Sequence, residues 1–243
     1  MIALLRKEIN VFLNSMVGFS VMATFLVLTN LMLWVIPCSF NIPEQEMATM
    51  EPFFFLAPWV LLLLIPAITM RSFAEETESG TIELLFTKPI SDIQIISAKF
   101  LGALSIVVIA ILPTLVAYYT VIAYGNPQGN IDHGATIGSY MGLIFLAAGY
   151  VAIGLFASCL TSSQIVAFVT TIVLCFLLFF AFHSLASFEL LGTFDDFMLK
   201  LGIKFHYDHL STGFIDSRDI IYFCALILSF LILTNFRLGM RRW

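Results

Sequence analysis

The side chains able to carry chemistry are few, and they lie at the margins of an otherwise apolar chain. His206, Asp208 and His209 offer three ligand-type side chains within four residues. No fourth ligand is apparent, and the spacing is not that of a tetrahedral zinc site. Nothing matches an HExxH zinc motif, a Gly-x-Ser-x-Gly nucleophile turn or a Walker A phosphate loop. Cys38, Cys159, Cys175 and Cys224 share no CxxC spacing, and three of them sit in apolar runs. They read as small packing residues rather than a disulfide framework or a metal site. His183, near the outer end of an apolar stretch, reads as a hydrogen-bonded packing residue. No catalytic residue, no metal site and no nucleic-acid partner is expected, and the chain is not expected to be an enzyme.

The elements that must hold these residues are membrane helices. Of 243 residues, 60% are hydrophobic and only 11% are charged. A soluble domain carries about 25% charged residues, so this chain cannot cover a water-facing surface. A membrane helix needs about 20 mostly apolar residues. Six stretches qualify, at about 16–37, 53–70, 100–124, 137–160, 164–187 and 219–236, within one transmembrane domain over 1–243. The fifth holds 14 Val, Ile, Leu or Phe between Gln164 and Ala186, which favours insertion by roughly 4–8 kcal/mol. The second holds Pro58 and Pro66, which predict a kink because proline removes a backbone donor. Met16 to Ile36 is too long for the core of a cleavable signal.

Lys and Arg placement sets the orientation. With the N-terminus inside, Arg6, Lys7, Arg71, Lys88, Lys99, Arg237, Arg241 and Arg242 are cytoplasmic, against Lys200, Lys204 and Arg218 outside. Both termini and the 71–99 loop are therefore expected in the cytoplasm. No ionisable group lies at mid-membrane. That argues against a proton- or sodium-coupled carrier, though not against a passive pore. Thr24, Thr29, Asn30, Thr114, Tyr118 and Tyr119 are candidate cavity polars. With neither ion-coupling groups nor an ATPase motif, active transport needs a partner subunit docking on a cytoplasmic surface. Gly138 and Gly142 form a GxxxG at the start of the fourth span. Its uses are close packing within the chain or at a subunit interface.

The 71–99 loop is the most informative segment. The second span is expected to run on to about Glu78, and Gly80 lets the chain turn, since glycine tolerates positive φ. Ile82, Leu85 and Phe86 then make one apolar face of a short helix, which Pro89 ends. Ser91 and Gln94 form an S-x-x-Q capping box, so the third helix should start near Asp92. Either the short helix is a lever between two stiff rods, or the loop lies on the lipid surface. The acids Glu75, Glu76, Glu78 and Glu83 weigh against the lipid surface, because anionic headgroups repel carboxylates.

Arg71, Glu75, Glu76, Ser79-Gly80-Thr81, Glu83-Leu84-Leu85, Pro89-Ile90-Ser91 and Lys99 together resemble the signature of type-2 ABC exporter permeases. In that family an E-x-G-T-x-E-x-L-L…P-[IV]-S…K pattern lies between the first two and the next four spans, and the similarity runs along nearly the whole chain. Residues 1–14 are similar to the family's cytoplasmic connecting helix, with Ile2, Leu5, Ile9 and Phe12 as its apolar stripe. The resemblance implies an all-α polytopic fold. Six transmembrane helices would be joined by an N-terminal amphipathic helix, a cytoplasmic coupling helix between spans 2 and 3, and short external helices between spans 5 and 6. It implies that Arg71, Glu75, Glu76, Gly80, Thr81, Glu83, Leu84, Leu85 and Pro89 couple to a separate ABC ATPase subunit. That subunit would use ATP and Mg, while this chain binds no cofactor. Two permeases, identical or not, would pair in the bacterial inner membrane, among lipid and with an envelope accessory protein as a further partner.

The external loop 188–218 carries Phe194, Phe197, Met198, Leu201 and Phe205 as the expected apolar cover of an interfacial helix. His206, Tyr207, Ser211, Gly213, Ile215, Asp216, Arg218 and Asp219 are similar to an H-Y-x-S-I-S-R-G-V-I-D-x-R-D segment of the gliding-motility branch of Bacteroidetes-type bacteria. His209 and Thr212 depart from it. Asp216 and Arg218 read as a local ion pair or the cap of the sixth span. The rival readings for the whole chain are a passive channel or carrier, and a membrane scaffold for envelope machinery.

Overall fold

The computed structural model describes residues 2–45, 47–83, 90–187, 198–213 and 216–240. Leu84, Leu85, Phe86, Lys88, Pro89, Phe194, Phe197, Ile215, Arg241 and Arg242 lie outside them. The described residues form helices and connecting turns, with no strand among them. Helix α1 spans Ile2–Leu13. Then come α2 (Met16–Trp34), α3 (Glu51–Glu78), α4 (Asp92–Tyr124), α5 (His133–Leu160) and α6 (Gln164–Ala186). The short α7 (Ile203–Ser211) precedes α8 (Ser217–Met240). Six of these, α2 to α6 and α8, are long and apolar enough to cross a membrane.

Local chemistry accounts for the helix starts. Ser15 accepts the Gly18 N–H at α2, and Asp132 accepts the Ala135 N–H at α5. At α4 the Ser91 hydroxyl accepts the Gln94 N–H while the Gln94 side chain accepts the Ser91 N–H, a complete capping box. Each fills donors that the first turn leaves free. Gly80 takes φ +69° just after α3, the left-handed turn expected of it.

Helix α5 is the central post. It packs against α3, α4, α6, α7 and α8, and Leu143, Leu146, Tyr150, Val151 and Ile153 on it are fully buried. Lipid tails are as apolar as leucine, so span association depends on close approach rather than on the hydrophobic effect. The small residues of α5 provide that approach. A Cβ on Gly154 would collide with Thr69 of α3. Helices α2, α6 and α8 lie at the periphery. They turn Phe19, Val27, Val173 and Ile232 outward, as a lipid-facing surface requires.

Two expected faces differ from those observed. On α1 the inward side is Leu4, Leu5, Glu8, Ile9 and Phe12, whereas Ile2 is exposed. The stripe is shifted because a carboxylate at Glu8 is wanted on the inner side, as described below. On α7 the inward face is Ile203, His206, Tyr207 and Leu210, at i, i+3, i+4 and i+7, while Leu201 is exposed and Phe205 half-buried. That helix packs by its polar motif, since the partners of His206 and Tyr207 lie on the bundle. Both Pro58 and Pro66 sit inside α3, and the helix runs on through them. Its one interruption is the turn at Met70.

Candidate functional site

Charged residues converge where α1, the end of α3 and the start of α4 meet. The Lys99 ammonium is nearly sealed from solvent, its side chain 1% exposed. It lies 3.2 Å from Glu8 Oε1, 3.0 Å from Glu76 Oε1 and 2.6 Å from the Ser72 carbonyl. An ammonium has three donors; two are spent on Glu8 and the Ser72 carbonyl, and Glu76 is an ion-pair partner. The Phe73 ring lies 5.1 Å from Nζ and adds a favourable face. A buried cation is tolerated only when paired and hydrogen-bonded. The seam is therefore specific: Lys99 needs both carboxylates, and each comes from a different helix. Lys7 adds a looser contact to Glu76 at 3.7 Å.

A second fastening lies just inside the seam. At the Met70 turn, the Phe73 and Ala74 N–H groups donate to Ser158 Oγ of α5 at 3.0 and 3.1 Å, and Ser158 Oγ donates to the Met70 carbonyl at 3.1 Å. The hydroxyl stands between Met70 C=O and Ala74 N–H, which would otherwise bond each other in the helix. A side chain inserted in the ladder is a recognised cause of helix interruption. The short rod Arg71–Glu78 is thus stitched to the central post by one hydroxyl and to α1 and α4 by one ammonium.

The structure brings Arg71, Glu75 and Glu76 to this seam. Gly80, Thr81 and Glu83 are exposed just beyond it, and Ile82 is buried. Glu8, Ser72 and Ser158 are the members that motif reading missed. For Glu8 a signal existed: it is the one carboxylate at i+4 from Leu4 and i−4 from Phe12, inside the apolar stripe. Ser158 carried none, being one small residue among many in α5.

At the opposite end of the bundle, α7 docks across the ends of α3, α5 and α8. His206 Nδ1 lies 2.6 Å from Asp219 Oδ1, and Nε2 donates to the Lys200 carbonyl at 2.8 Å. Tyr222 stacks on the His206 ring at 3.9 Å between centroids and donates to the Leu201 carbonyl. Both ring nitrogens of His206 are engaged by other groups of the same chain. Among the described residues no group of three His, Cys, Asp or Glu could hold an ion. Burial pushes the Asp208 carboxyl above its usual value, against the lowering by Lys204, His183 and His209.

Asp216 accepts the Arg218 N–H at 3.0 Å, and its carbonyl accepts the Asp219 N–H. It caps α8. Gly213 takes φ +85°, and a Cβ on Gly138 would lie 2.8 Å from Gly213 Cα. A Cβ on Gly142 would lie 2.7 Å from Leu210 Cβ. The GxxxG face of α5 therefore receives α7 of the same chain.

The sequence profile of the ABC-2 family transporter proteins matches residues 11–239, nearly the whole chain and both ends of the bundle just described. The chain belongs to the ABC-2 family. It is a multi-pass ABC transporter permease, the membrane-spanning subunit, with ATPase activity carried by a separate ABC subunit. No curated protein matches the chain.

Within the permease, the polar residues of the spans are mostly used locally. The Thr114 hydroxyl donates to the Ile111 carbonyl and lies 3.2 Å from the Tyr140 hydroxyl, and Tyr118 pairs with His133. Thr29 is buried, whereas Thr24, Asn30 and Tyr119 face outward. None of them lines the cavity of about 260 Å³ at the Lys99 seam or the one of about 710 Å³ beside α7.

Proposed function

We propose that this permease works in an ATP-driven exporter of the gliding-motility-associated type, in the bacterial inner membrane with both termini cytoplasmic. The observation that carries the reading is the Lys99 seam. It joins α1, the Arg71–Glu78 rod and α4 at one base, and the coupling segment follows the rod and precedes α4 in the sequence. A push on that segment moves three helices together rather than bending a loop. On this reading Leu84, Leu85 and Pro89 belong to the coupling helix seated in the ATPase, and Arg71, Glu75, Glu76, Gly80, Thr81 and Glu83 frame it. Two permeases, as homodimer or heterodimer, pair with two ATPases that use ATP and Mg, and this chain binds no cofactor. The gliding-motility assignment rests on the His206-Tyr207 and Asp216-x-Arg218-Asp219 segment, and an envelope accessory protein is the expected outer partner.

The test is affinity purification in mild detergent, followed by identification of the subunits retained and assay of the complex in nanodiscs. An ABC ATPase should co-purify, and a helix-breaking change, Leu84→Pro, should leave its basal hydrolysis while abolishing ATP-dependent transport. Transport by the purified permease alone would favour a passive carrier. Motility that survives inactivation of the ATPase would favour a scaffold.

A further inference from the structure

The cavity at the Lys99 seam straddles the boundary between apolar and charged chain. Its apolar wall is Val11, Phe12, Ile68, Ala103 and Ile106, and its polar wall includes Lys7, Glu8, Arg71, Glu75, Glu76 and Lys99. On α3 the change falls between Met70 and Arg71, and on α4 between Lys99 and Phe100. A cavity with this division is shaped for an amphiphile standing at the membrane interface.

Its charges indicate which headgroup fits. Three cations face three carboxylates, but they are not evenly used. Lys99 takes Glu8 and Glu76, and Lys7 leans on Glu76. Arg71 and Glu75 enter no ion pair among the described residues, although both line the cavity. Arg71 Nε is buried without a hydrogen-bond partner, as is Glu76 Oε2. A buried polar atom left unpaired is costly, and guanidinium matches phosphate geometry. One free cation and one free carboxylate, four residues apart on a helix face, complement a group carrying a phosphate and an ammonium. A quaternary ammonium calls for a cage of aromatic rings, and among the described residues Phe12 is the only ring lining this cavity. A primary ammonium, which donates hydrogen bonds to carboxylate, fits better. An anionic headgroup without an amine would meet the unpaired Glu75 carboxylate and leave it unopposed.

We infer that this cavity binds the phosphoethanolamine headgroup of a membrane phospholipid, with the phosphate on Arg71, the ammonium on Glu75 and Glu76, and one acyl chain along Phe12 and Ile106. The site stands on the cavity and its charges, independently of whether the permease exports.

The test uses the permease purified with its accompanying subunits. It is reconstituted in nanodiscs of phosphatidylethanolamine, phosphatidylcholine or phosphatidylglycerol, and examined by melting temperature and by the lipid retained in native mass spectrometry. Phosphatidylethanolamine should be retained preferentially and raise the melting temperature. Arg71→Ala and Glu75→Gln should each weaken retention about tenfold, the loss of one charge-assisted contact. Glu75 is exposed, so Glu75→Gln should keep the wild-type helical content and serve as the folded control. Equal retention of the three lipids, or a preference that survives both substitutions, overturns the site. Soluble glycerophosphoethanolamine should give no shift; a shift equal to that of the lipid would overturn the membrane as its source.

Discussion

Tyr207 donates its hydroxyl to the main-chain carbonyl of Phe54 at 2.6 Å, across 153 residues of sequence. In a helix that carbonyl would accept the N–H four residues on, which is Pro58, and proline has none. The tyrosine thus fills the acceptor that proline frees. Burial raises the Tyr207 hydroxyl well above the usual tyrosine value, so it remains a donor at any working pH. This is how α3 carries a proline in its first turns without losing its line, and how α7 is fixed to the bundle.

The pairing can be separated from general packing. Tyr207→Phe should cost about 1–3 kcal/mol, because it orphans a buried carbonyl. In a Pro58→Ala background the restored N–H should fill that carbonyl, and the same change should then cost markedly less. Thermal unfolding of the four proteins in nanodiscs reads the coupling. Equal costs in both backgrounds would remove the proline from the explanation.

Lys99→Ala leaves Glu8 and Glu76 facing one another with no cation between them. The expected loss is about 3–5 kcal/mol, as for breaking a buried pair, seen as a large fall in melting temperature. Adding Glu8→Gln and Glu76→Gln should recover part of it, since the stranded charges are gone. If the triple variant is no better than the single, the seam contributes by volume rather than by charge.

Ser158→Ala removes the acceptor of two buried N–H groups and the donor to one carbonyl. A cost of about 1–3 kcal/mol is expected. Hydrogen exchange at the Phe73 and Ala74 amides should rise selectively, with the centre of α5 unchanged. Uniform loss of protection along α5 would mean that Ser158 acts through packing alone.

Asp216 titrates below its usual 3.8, chiefly because its carboxylate accepts the Arg218 N–H. A carboxyl whose folded value is lowered contributes stability above the unfolded value and loses it as pH falls through the folded one. The gap in melting temperature between wild type and Asp216→Ala should therefore be widest above the ordinary aspartate range. It should close on acidification below it. A gap that does not change with pH would show that the cap works through its backbone carbonyl only.

What the sequence by itself determined was local. Apolar runs of membrane-spanning length announce six helices, because each satisfies its own backbone within one segment. Ser91 and Gln94, three residues apart, announce the start of α4, and Gly80 announces the turn after α3, because capping and positive φ depend on neighbours in the chain. The type-2 signature likewise lies in one continuous stretch. The tertiary structure decided what crosses between segments. Glu8 reaches Lys99 over 91 residues, and Ser158 reaches Ala74 over 84. The inward faces of α1 and α7 followed these partners rather than the count of apolar residues, leaving Ile2 outside and Phe205 only half-buried. The physical reason is the same in each case. A buried ammonium, hydroxyl or imidazole must find its partner in space, and spacing along the chain does not say which distant residue will supply it.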